Sequence, residues 1–419
     1  MNDKKIAVLG LGYVGLPLAL GLSFSYNIKG FDVDNIRINQ LRKGIDSTLE
    51  VDEKKLLTQQ KKKKIFITSN KKELNDCNIF IATVPTPIDK KKRPDFSSLL
   101  KVCKIIGGLL KKNDIVVFES TVFPGATEDI CGPELEKNSN KLKCGRDFFL
   151  GYSPERVNPG DKVHTIEKIN KVVSGQNKEV EEVLLKIYSK LTKGKVFLAK
   201  NIKVAEASKV IENAQRDINI AFINEVARIC SKLEISTYDV LKASLTKWNF
   251  LNFEPGLVGG HCIGVDPYYL AEKARKLKIK PQVILSGRDT NDSMIKFVGK
   301  QICKKISTNS KILFLGVTFK EDVPDLRNSK SIELIRYLKD KKHNVYFYDP
   351  FIKNMKGIRN YEIKTNSKNI FDAIVLAVPH SKLLKDFKKK IYPLLKDNGV
   401  FFDLKAKFRD DYDQNYWSL

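Results

Sequence analysis

The sequence predicts an α/β protein in which two Rossmann-like, doubly wound domains are joined by a central domain built on a long helix. Apolar, β-branched segments alternate with helical segments towards both ends of the chain, and a glycine-rich turn follows the first of them. A stretch without Gly or Pro separates the two ends. The 419 residues suffice for two or three domains at about 100 to 200 residues each. We expect domains at 1–200, 201–306 and 307–419.

The first domain begins with a βαβ unit. The run KIAVL at 5–9 predicts a strand, helical apolar spacing follows at 13–24, and IKGFDVD at 28–34 predicts the next strand. Further apolar runs alternate with helical segments, which predicts a parallel sheet covered on both faces. These runs lie at 77–85, 114–121, 147–154 and 171–175.

The central segment has a different pattern. Apolar residues recur every three or four positions from Asn201 to Leu233, which predicts one long helix that acts as a connector or a dimer spine. A loop rich in Gly, Pro and aromatic residues follows at 247–269, and a second helix is expected at 282–306.

The last domain repeats the pattern of the first. IVLAVPHS near the C-terminus is similar to IFIATVPTP in the first domain, and YDPF is similar to GFDVD. Open α/β sheets bind ligands beyond the carboxyl ends of their strands, so the two sheets offer room for two ligands. The four apolar strands expected in this domain lie at 311–317, 344–350, 372–379 and 399–405.

The chain is strongly basic, with 75 Lys and Arg residues against 49 Asp and Glu residues and a formal charge of +26. Such an excess raises the alternative of a nucleic-acid or membrane partner. The lysines, however, form short dispersed runs at 61–64, 90–92 and 388–390, without interleaved aromatic residues. This favours a solvated lysine-rich surface over a polyanion-binding face, and we expect neither nucleic acid nor membrane as a partner.

The cysteines indicate a reducing environment. Seven cysteines without a CxxC pair fit neither a disulfide framework nor a zinc ribbon. The N-terminus lacks the pattern of a secretory signal, and no run approaches the roughly 18 apolar residues of a spanning helix. These features predict a cytoplasmic protein.

The turn Gly10-Leu-Gly12-Tyr-Val-Gly15 has the context of a dinucleotide site, because it follows a predicted strand and opens a predicted helix. Gly10 allows a tight turn, Gly12 lets backbone amides approach a pyrophosphate, and Gly15 permits close helix packing. Asp32 ends the next strand, where a carboxylate accepts hydrogen bonds from a ribose diol and repels a 2′-phosphate. The pattern predicts NAD binding, in preference to NADP or to a ligand-free glycine turn.

Two pairs of residues suggest chemistry. Lys209 and Asn213 lie four residues apart on the long helix, so they share a face, where they either hold a developing oxyanion or simply meet solvent. Cys262 follows two glycines; if a helix begins there, its N-terminus favours the thiolate and Asp266 shares the same face. The alternative is a buried apolar cysteine, which we expect for the other six.

His261 precedes the candidate thiol but has no second His or Cys at metal-ligand spacing. We therefore expect loop packing or a substrate contact from His261, and no metal site. A dinucleotide site, a thiol and a helix-borne lysine in one chain suggest oxidation as far as a carboxylate. In such a reaction the thiol traps an aldehyde, a second hydride transfer gives a thioester, and hydrolysis releases the acid.

Longer motifs resemble the UDP-glucose and UDP-N-acetylhexosamine 6-dehydrogenase family across essentially the whole chain. The resemblance implies an N-terminal NAD domain, a central helical region that forms a homodimer, and a C-terminal domain that binds a UDP-sugar. The motifs are VLGLGYVGLPLA at the start, ATVPTP at 82–87, ESTVFPGAT at 119–127, YSPERVNPGD at 152–161, Lys209 with Asn213, GGHCIGVDP at 259–267 and GVTFKEDVPDLRNS at 316–329.

The resemblance also implies a reaction, in which the C6 alcohol of the sugar becomes a carboxylate and two NAD are reduced. Cys262 would form the thiohemiacetal and then the thioester. Lys209 and Asn213 would steady the oxygen at C6, and Asp266, with a water and Thr121, would assist proton transfer. Both Lys209 and a water held by Asp266 remain candidates for the base that removes the first proton.

Further positions match by motif. Glu155 would take part in thioester hydrolysis. The implied cofactor positions are Gly10, Gly12, Tyr13, Val14, Gly15, Asp32, Arg37, Thr83, Pro85, Thr121 and Arg327. The implied substrate positions are Glu155, Arg156, Lys209, Asn213, Gly256, Gly259, Gly260 and Lys320.

The chain departs from the animal UDP-glucose enzymes at two places. Arg156, Val157 and Asn158 stand where those enzymes have Phe-Leu and a further acid, and His261 precedes the cysteine. Both features resemble the branch that acts on UDP-N-acetylglucosamine or UDP-N-acetylgalactosamine for capsule or O-antigen. UDP-glucose, UDP-N-acetylmannosamine and a non-catalytic sugar-nucleotide or polyanion-binding protein are the alternatives. Lys405 lies in DLKAKF where the family usually has DVKG, which weakens its assignment as a sugar-nucleotide contact.

Overall fold

Two sheets with strand orders of the Rossmann type organise the chain in this computed structural model, which describes residues 4–161, 163–364, 367–412 and 415–419. Within these residues the first sheet has eight strands in the order β3-β2-β1-β4-β5-β6-β7-β8. Among the described strands of this sheet, β6 and β7 pair antiparallel and the other neighbours pair parallel. The strands are β1 (Lys5–Leu9), β2 (Asn27–Phe31), β3 (Ile65–Thr68), β4 (Ile79–Ala82), β5 (Asp114–Phe118), β6 (Phe148–Tyr152), β7 (Lys171–Gly175) and β8 (Val196–Leu198).

The second sheet has six strands in the described part of the chain, in the order β11-β10-β9-β12-β13-β14, and its neighbouring strands pair parallel. Both sheets therefore match the predicted doubly wound fold class, which is confirmed. The strands are β9 (Lys311–Leu315), β10 (Asn344–Tyr348), β11 (Arg359–Asn360), β12 (Phe371–Leu376), β13 (Leu395–Asp403) and β14 (Tyr416–Ser418).

The helices follow the predicted alternation, and the uninterrupted central helix is confirmed as α7. Several of them begin at a side chain that accepts backbone N–H groups, such as Asp34 before α2 and Asn177 before α6. The helices are α1 (Gly15–Ser23), α2 (Asn35–Arg42), α3 (Glu53–Lys61), α4 (Ser97–Gly107), α5 (Gly132–Asn138), α6 (Lys178–Leu191), α7 (Ile202–Leu233), α8 (Thr237–Ser244), α9 (Asp266–Lys276), α10 (Gln282–Lys305), α11 (Lys330–Asp340) and α12 (Ser381–Asp386).

The two faces of each sheet are buried, as the near-continuous apolar runs of parallel strands require. On β9, Ile312 and Phe314 pack in the core shared with α10 and α11, whereas Leu313 and Leu315 pack in the opposite core, which includes α12. All four side chains are buried. At about 1.5–3 kcal/mol for each fully buried apolar side chain, these layers are the main stabilising contribution to the fold.

Contacts group the described residues into two compact units. One contains the residues up to Glu212 together with Tyr268–Lys280, and the other contains Asn213–Pro267 and Pro281–Leu419. Helices α7 and α9 therefore contribute residues to both units. The division into three domains stays a prediction.

Helix α9 shows why a segment distant in sequence belongs to the first unit. The Tyr269 hydroxyl donates to the carbonyl of Pro87 at 3.0 Å, and its ring meets Phe96 edge-on at 5.7 Å. The Lys276 ammonium lies 4.4 Å from the centre of the Phe123 ring. These contacts fix α9 beside the loops that follow β4 and β5. In the described ranges, none of the helices is both long enough and apolar enough to cross a membrane.

Candidate dinucleotide and thiol sites

The glycine turn at the end of β1 has the geometry that the sequence predicted. Gly10 has a φ of +99°, and its N–H donates to the carbonyl of Phe31 at 2.8 Å. A Cβ on Gly15 would lie 1.8 Å from the Gly10 carbonyl oxygen, so only glycine fits there. A Cβ on Gly12 would meet no atom within 4 Å. The turn thus leaves open space at Gly12, where the backbone can approach a pyrophosphate.

Asp32 and Arg37 hold the next residue of the turn from two sides. The N–H of Leu11 donates to Asp32 Oδ2 at 2.7 Å, and the carbonyl of Leu11 accepts from Arg37 Nε at 2.9 Å. Arg37 is buried, and its Nη2 lies 2.8 Å from Asp46 Oδ1. Asp32 remains half-exposed, so its carboxylate can also accept from a ribose diol. Arg37 supports the turn directly, and its contact with a cofactor stays a prediction.

The other predicted cofactor positions divide between the two units. Thr83 follows β4, and its hydroxyl donates to the carbonyl of Gly10 at 2.7 Å, which ties β4 to the turn. Arg327 belongs to the second unit, where its Nη2 donates to Asp325 Oδ2 at 2.7 Å. The remaining positions of the first unit are half-exposed or exposed at the carboxyl ends of its strands: Tyr13, Val14, Pro85 and Thr121.

A similar turn follows the first strand of the second sheet, but there the carboxylate that accepts its N–H is covered. Gly316 has a φ of +79°, and Val317 N–H donates to Asp349 Oδ2 at 2.8 Å, as Leu11 does to Asp32. His380 Nδ1 accepts from the amide of Asp322, so the ring proton lies on Nε2, which donates to Asp349 at 3.1 Å. Burial works to raise the pKa of Asp349, but this bond holds it below its ordinary value. The Asp349 carboxylate therefore stabilises the fold and is covered by His380, whereas the Asp32 carboxylate is half-exposed.

Glu206 on α7 fixes the loop that follows Thr121. Its carboxylate is buried and accepts the N–H groups of Gly125, at 2.5 Å, and of Thr127, at 2.8 Å. Burial raises the pKa of Glu206 to about 7. One turn further along α7 lies Lys209, which is also buried. The helix thus carries a loop anchor and a predicted catalytic residue on neighbouring turns.

Asn213 and Asp266 are brought into direct contact. Asn213 Nδ2 donates to Asp266 Oδ2 at 2.5 Å, and Asp266 is buried. The N–H of Asp266 also donates to the carbonyl of Cys262 at 2.8 Å. The predicted residues Asn213, Asp266 and Cys262 therefore form one connected group within the second unit.

The condition under which Cys262 and Asp266 would share a helix face is not met, because α9 begins at Asp266. Residues 260–265 form turns instead, in which Gly260 has a φ of +82°. This chain path needs the glycine and delays the helix by one turn. Cys262 is half-exposed just before the helix N-terminus. Cys262 and Asp266 are linked through the backbone bond of this turn.

Two buried polar contacts hold the loop before the cysteine. Asn224 on α7 donates from Nδ2 to the carbonyl of Gly256 at 3.0 Å and accepts from its N–H at 2.8 Å. Asp217, seven residues earlier, pairs with Arg288 of α10 at 2.6 Å. Asn291 completes the group. Its Nδ2 donates to Asp217, and its Oδ1 accepts from Asn224.

The glycines of this loop pack against protein groups. A Cβ on Gly256 would lie 2.6 Å from Lys405 Nζ, and one on Gly260 would lie 2.7 Å from the Phe319 ring. A Cβ on Gly259 would lie 2.6 Å from the carbonyl oxygen of Asn328. Gly259 and Gly260 are thus needed for close approach to a backbone carbonyl and to an aromatic ring, whereas the flexible end of Lys405 could move away from a Cβ at Gly256. Binding of substrate by these glycines, and by the half-exposed Lys320, stays a prediction.

His261 packs within the second unit. Its ring meets Phe319 edge-on at 4.9 Å, and its Nε2 lies 3.1 Å from Asp325 Oδ2. Burial favours protonated Asp325, but the bonds from His261 and Arg327 hold the pKa of Asp325 well below its ordinary value. These contacts tie the residue before Cys262 to the segment that follows β9. No group of three metal-ligating side chains occurs among the described residues.

Glu155 follows β6 in the first unit and is held on both carboxylate oxygens. Its Oε1 accepts the N–H groups of Arg156 and Val157, at 2.6 and 2.5 Å, and its Oε2 accepts from Lys171 at 3.1 Å. Burial would raise the pKa of Glu155, but Lys171, the Val157 amide and Lys209 together hold it below its ordinary value. The Arg156 guanidinium pairs with Glu212 of α7 at 2.9 Å.

Sequence reasoning missed most of the anchoring residues. Glu206, Asn213, Asp217 and Asn224 share one face of α7, at spacings of seven, four and seven residues. Polar residues at helical spacing in an otherwise apolar stripe were the available signal. Lys171 gave no such signal, because it opens a strand in a lysine-rich chain.

Comparison with known proteins agrees with this arrangement. Three models of the UDP-glucose/GDP-mannose dehydrogenase family match the chain: the NAD binding domain at residues 4–192, the central domain at 203–293 and the UDP binding domain at 313–410. The chain belongs to this family. It is an NAD-dependent nucleotide-sugar dehydrogenase.

Individual relatives of this dehydrogenase extend over its full length. It is 47% identical to a UDP-N-acetyl-D-glucosamine 6-dehydrogenase of Pseudomonas aeruginosa, over 98% of this chain and 99% of that protein. It is 48% identical to protein CapL of Staphylococcus aureus, over 100% of both chains. A UDP-D-ManNAc dehydrogenase from Pyrococcus horikoshii has a similar structure, with a TM-score of 0.87, 26% identity and coverage of 99% of this chain and 98% of that chain.

The half-exposed carboxylate of Asp32 generates a prediction about cofactor choice. Asp32→Asn keeps an oxygen that can accept from Leu11 but removes the charge. We expect NAD to bind at least about tenfold more weakly, because a hydrogen bond to a charged group contributes about 1.5–3 kcal/mol, and the preference over NADP to shrink. Titration of both cofactors, followed by protein fluorescence, measures this.

Asp34→Asn is the matched control. Asp34 caps α2 two residues later, and Asn caps a helix equally well, so both affinities should stay unchanged. An Asp32→Asn protein with the original preference for NAD would contradict the ribose assignment.

Proposed function

We propose that this dehydrogenase oxidises the C6 alcohol of a UDP-N-acetylhexosamine, UDP-N-acetylglucosamine or UDP-N-acetylgalactosamine, to the uronic acid through a covalent thioester on Cys262. The product would supply a capsule or O-antigen. The observation that carries the proposal is the contact between Asn213 and Asp266, which lies in the same turn as Cys262. Support for the substrate comes from the relatives at 47% and 48% identity, named UDP-N-acetyl-D-glucosamine 6-dehydrogenase and CapL.

The reaction balances as two oxidations and one hydrolysis. The alcohol, one water and two NAD give the carboxylate, two NADH and three protons. When bound, NAD accepts a hydride from C6 in each oxidation. The open backbone at Gly12 and the half-exposed Asp32 fit its pyrophosphate and ribose.

The covalent steps belong to Cys262. Its thiolate adds to the aldehyde carbon and forms the C–S bond of the thiohemiacetal, which the second hydride loss converts into a thioester. Water then attacks the carbonyl, and the C–S bond breaks to return the thiolate. Free aldehyde is not released between the two oxidations.

Other side chains manage charge and protons. Lys209 and Asn213 stabilise negative charge on the oxygen at C6, since they share one face of α7. Asp266, buried and held by Asn213, acts with a water and Thr121 in proton transfer. Glu155 takes a proton from the water that attacks the thioester; the groups that hold its pKa below the ordinary value favour this ionised form.

A panel of UDP-sugars tests the proposed reaction. Purified protein with NAD should form about two NADH per molecule of UDP-N-acetylglucosamine or UDP-N-acetylgalactosamine consumed, because the oxidation does not stop at the aldehyde. Absorbance of NADH, with the sugar acid measured by mass spectrometry, gives the ratio.

Other outcomes of the panel contradict parts of the proposal. Faster turnover of UDP-glucose or UDP-N-acetylmannosamine would contradict the proposed substrate but not the proposed reaction. Absence of NADH with every sugar, together with tight retention on heparin at physiological salt, would favour a binding protein.

Removal of the thiol tests the covalent route. Cys262→Ala should lower acid formation by more than about 1,000-fold, because the aldehyde can no longer be trapped. Binding of NAD and of UDP should stay within about twofold of the original values. Stopped-flow NADH formation and equilibrium titration measure the two effects.

Cys144→Ala is the control for this variant. Cys144 is a half-buried thiol of the first unit that contacts Gln176. Its loss should leave turnover unchanged. Acid formation at the original rate by Cys262→Ala would refute the assigned nucleophile.

We also propose that the enzyme is a homodimer that pairs through α7. The outward face of this helix exposes apolar side chains, of which Phe222 is 60% exposed, and a groove of about 330 Å³ lies between this face and α10. Single exposed apolar residues are common, but a row along a helix about 48 Å long is typical of an interface. The other exposed members are Val204, Ile211, Ile229 and Leu233.

Light scattering tests the dimer. The protein should have the mass of two 47.7 kDa chains, and Phe222→Glu should weaken association by about 100-fold or more, because it places a charge in an apolar interface. Phe66→Glu, an exposed residue of β3, should remain dimeric. A dimeric Phe222→Glu protein, or a monomeric original, would contradict the proposal.

We place the reaction in the cytoplasm. The seven cysteines of the protein are free thiols in the structure, which is the state that a reducing compartment maintains. Co-fractionation with a cytoplasmic marker tests this placement.

A further inference from the structure

Glu155 belongs to a buried group of three charged side chains. Lys171, the first residue of β7, donates from Nζ to Glu119 Oε2 at 2.6 Å and to Glu155 Oε2 at 3.1 Å. The side chains of Lys171 and Glu119 have no exposed surface. Tyr188 of α6 donates its hydroxyl to Glu119 Oε1 at 2.5 Å. We call Glu119, Lys171 and Glu155 the charge triad.

The triad holds one ammonium for two carboxylates. Burial raises the pKa of Glu119 to about 7, against the effect of Lys171. Burial works to lower the pKa of Lys171, but the two carboxylates raise it. The triad therefore keeps Lys171 protonated and Glu155 ionised near neutral pH, and Glu119 takes up a proton before Glu155 does as the pH falls.

The position of the triad in the chain links it to the proposed site. Glu119 immediately precedes Ser120 and Thr121 at the end of β5, and Glu155 follows β6. These two strands are neighbours in the sheet and run parallel, so both carboxylates lie at its carboxyl edge. A buried ion pair of this kind is costly to assemble, and stability alone does not explain it.

We propose that Lys171 is a positioning residue that keeps Glu155 ionised and oriented for thioester hydrolysis. This inference rests on the role of Glu155 in the proposed function. The two backbone N–H groups on Oε1 fix one carboxylate oxygen, and Lys171 fixes the other. The carboxylate thus keeps one orientation without a contribution from solvent.

The other charges around Glu155 are few in the described residues. Lys209 of α7 acts on it from a distance and favours its ionised form. The Arg156 guanidinium instead pairs with Glu212 and donates to the Asn170 carbonyl at 3.1 Å. Tyr188 acts on Glu119, and the Lys171 ammonium lies 5.6 Å from the centre of its ring.

The test is the pH dependence of acid formation from UDP-N-acetylglucosamine in three variants. Lys171→Met leaves Glu155 buried without its ammonium, so its pKa rises and the acidic limb should move to higher pH by about one unit or more. Glu155 stays largely ionised at pH 7 after such a shift. There kcat should fall about tenfold, with KM within about twofold, because the carboxylate loses the ammonium that fixes its second oxygen. Lys171→Arg keeps the charge and should restore most of the original limb.

Glu119→Gln is the companion variant. The pKa of Glu119 is raised and that of Glu155 is lowered, so Glu119 is already protonated and uncharged where Glu155 titrates. Gln keeps groups that can bond Tyr188 and Lys171, so the acidic limb should stay within about 0.3 pH unit of the original. General damage to the triad would instead move the limb in both variants. If Lys171→Met does not fold, Lys171→Gln, which also removes the charge, takes its place against Lys171→Arg.

The control is Lys143→Met, which breaks an exposed pair with Glu136 and should leave the pH profile unchanged. Infrared titration of the carboxylates in the unliganded protein, with Glu155→Gln to assign the band, measures the pKa of Glu155 without any turnover. A Glu155 band that titrates identically in the original protein and in Lys171→Met would overturn the inference. Failure of the original protein to form acid would instead refute the proposed function.

Discussion

One buried polar face of helix α7 is the constraint on which the candidate sites depend. Glu206 holds the loop after Thr121, and Asn224 holds Gly256 through two backbone hydrogen bonds. Asn213 holds Asp266 directly. Because an unsatisfied buried polar group costs about 1–3 kcal/mol, these side chains and the loops they meet fix one another. The helix thereby sets the backbone path on either side of the thiol as well as presenting Lys209.

The two Rossmann-like halves share the same glycine turn and acid but differ in whether the acid is accessible. Both have a glycine with positive φ after the first strand and an acid that accepts the following N–H. At Asp32 the carboxylate stays half-exposed, whereas His380 covers Asp349. The first half thus keeps its acid accessible to a ribose, whereas the corresponding acid of the second half is used in hydrogen bonds within its own fold.

Much of the fold followed from local pattern. Apolar runs predicted the central strands of both sheets, and the spacing from Asn201 predicted α7, because burial on both faces or one long face leaves a strong signal. The edge strands β3, β8, β11 and β14 were missed, since they have only two to four residues. Helix α9 begins only after the turn at Gly260, whose positive φ is incompatible with a helix. The residues around Cys262 carried no sequence signal for this later start.

The candidate site, like the fold, was predictable from the sequence only in part. The turn from Gly10 to Gly15 was predictable because Gly10 and Gly15 each answer a local steric need. The charge triad was not, because Glu119, Lys171 and Glu155 come from three separate strand ends and meet only through the sheet order. Pairings of that kind are decided by tertiary packing.

Hydrogen–deuterium exchange in Asn224→Ala tests most directly whether α7 holds the thiol loop. Loss of both bonds to Gly256 should speed amide exchange across residues 256–266 and leave the turn at residues 10–15 unchanged. Exchange across 256–266 at the original rate would contradict the account.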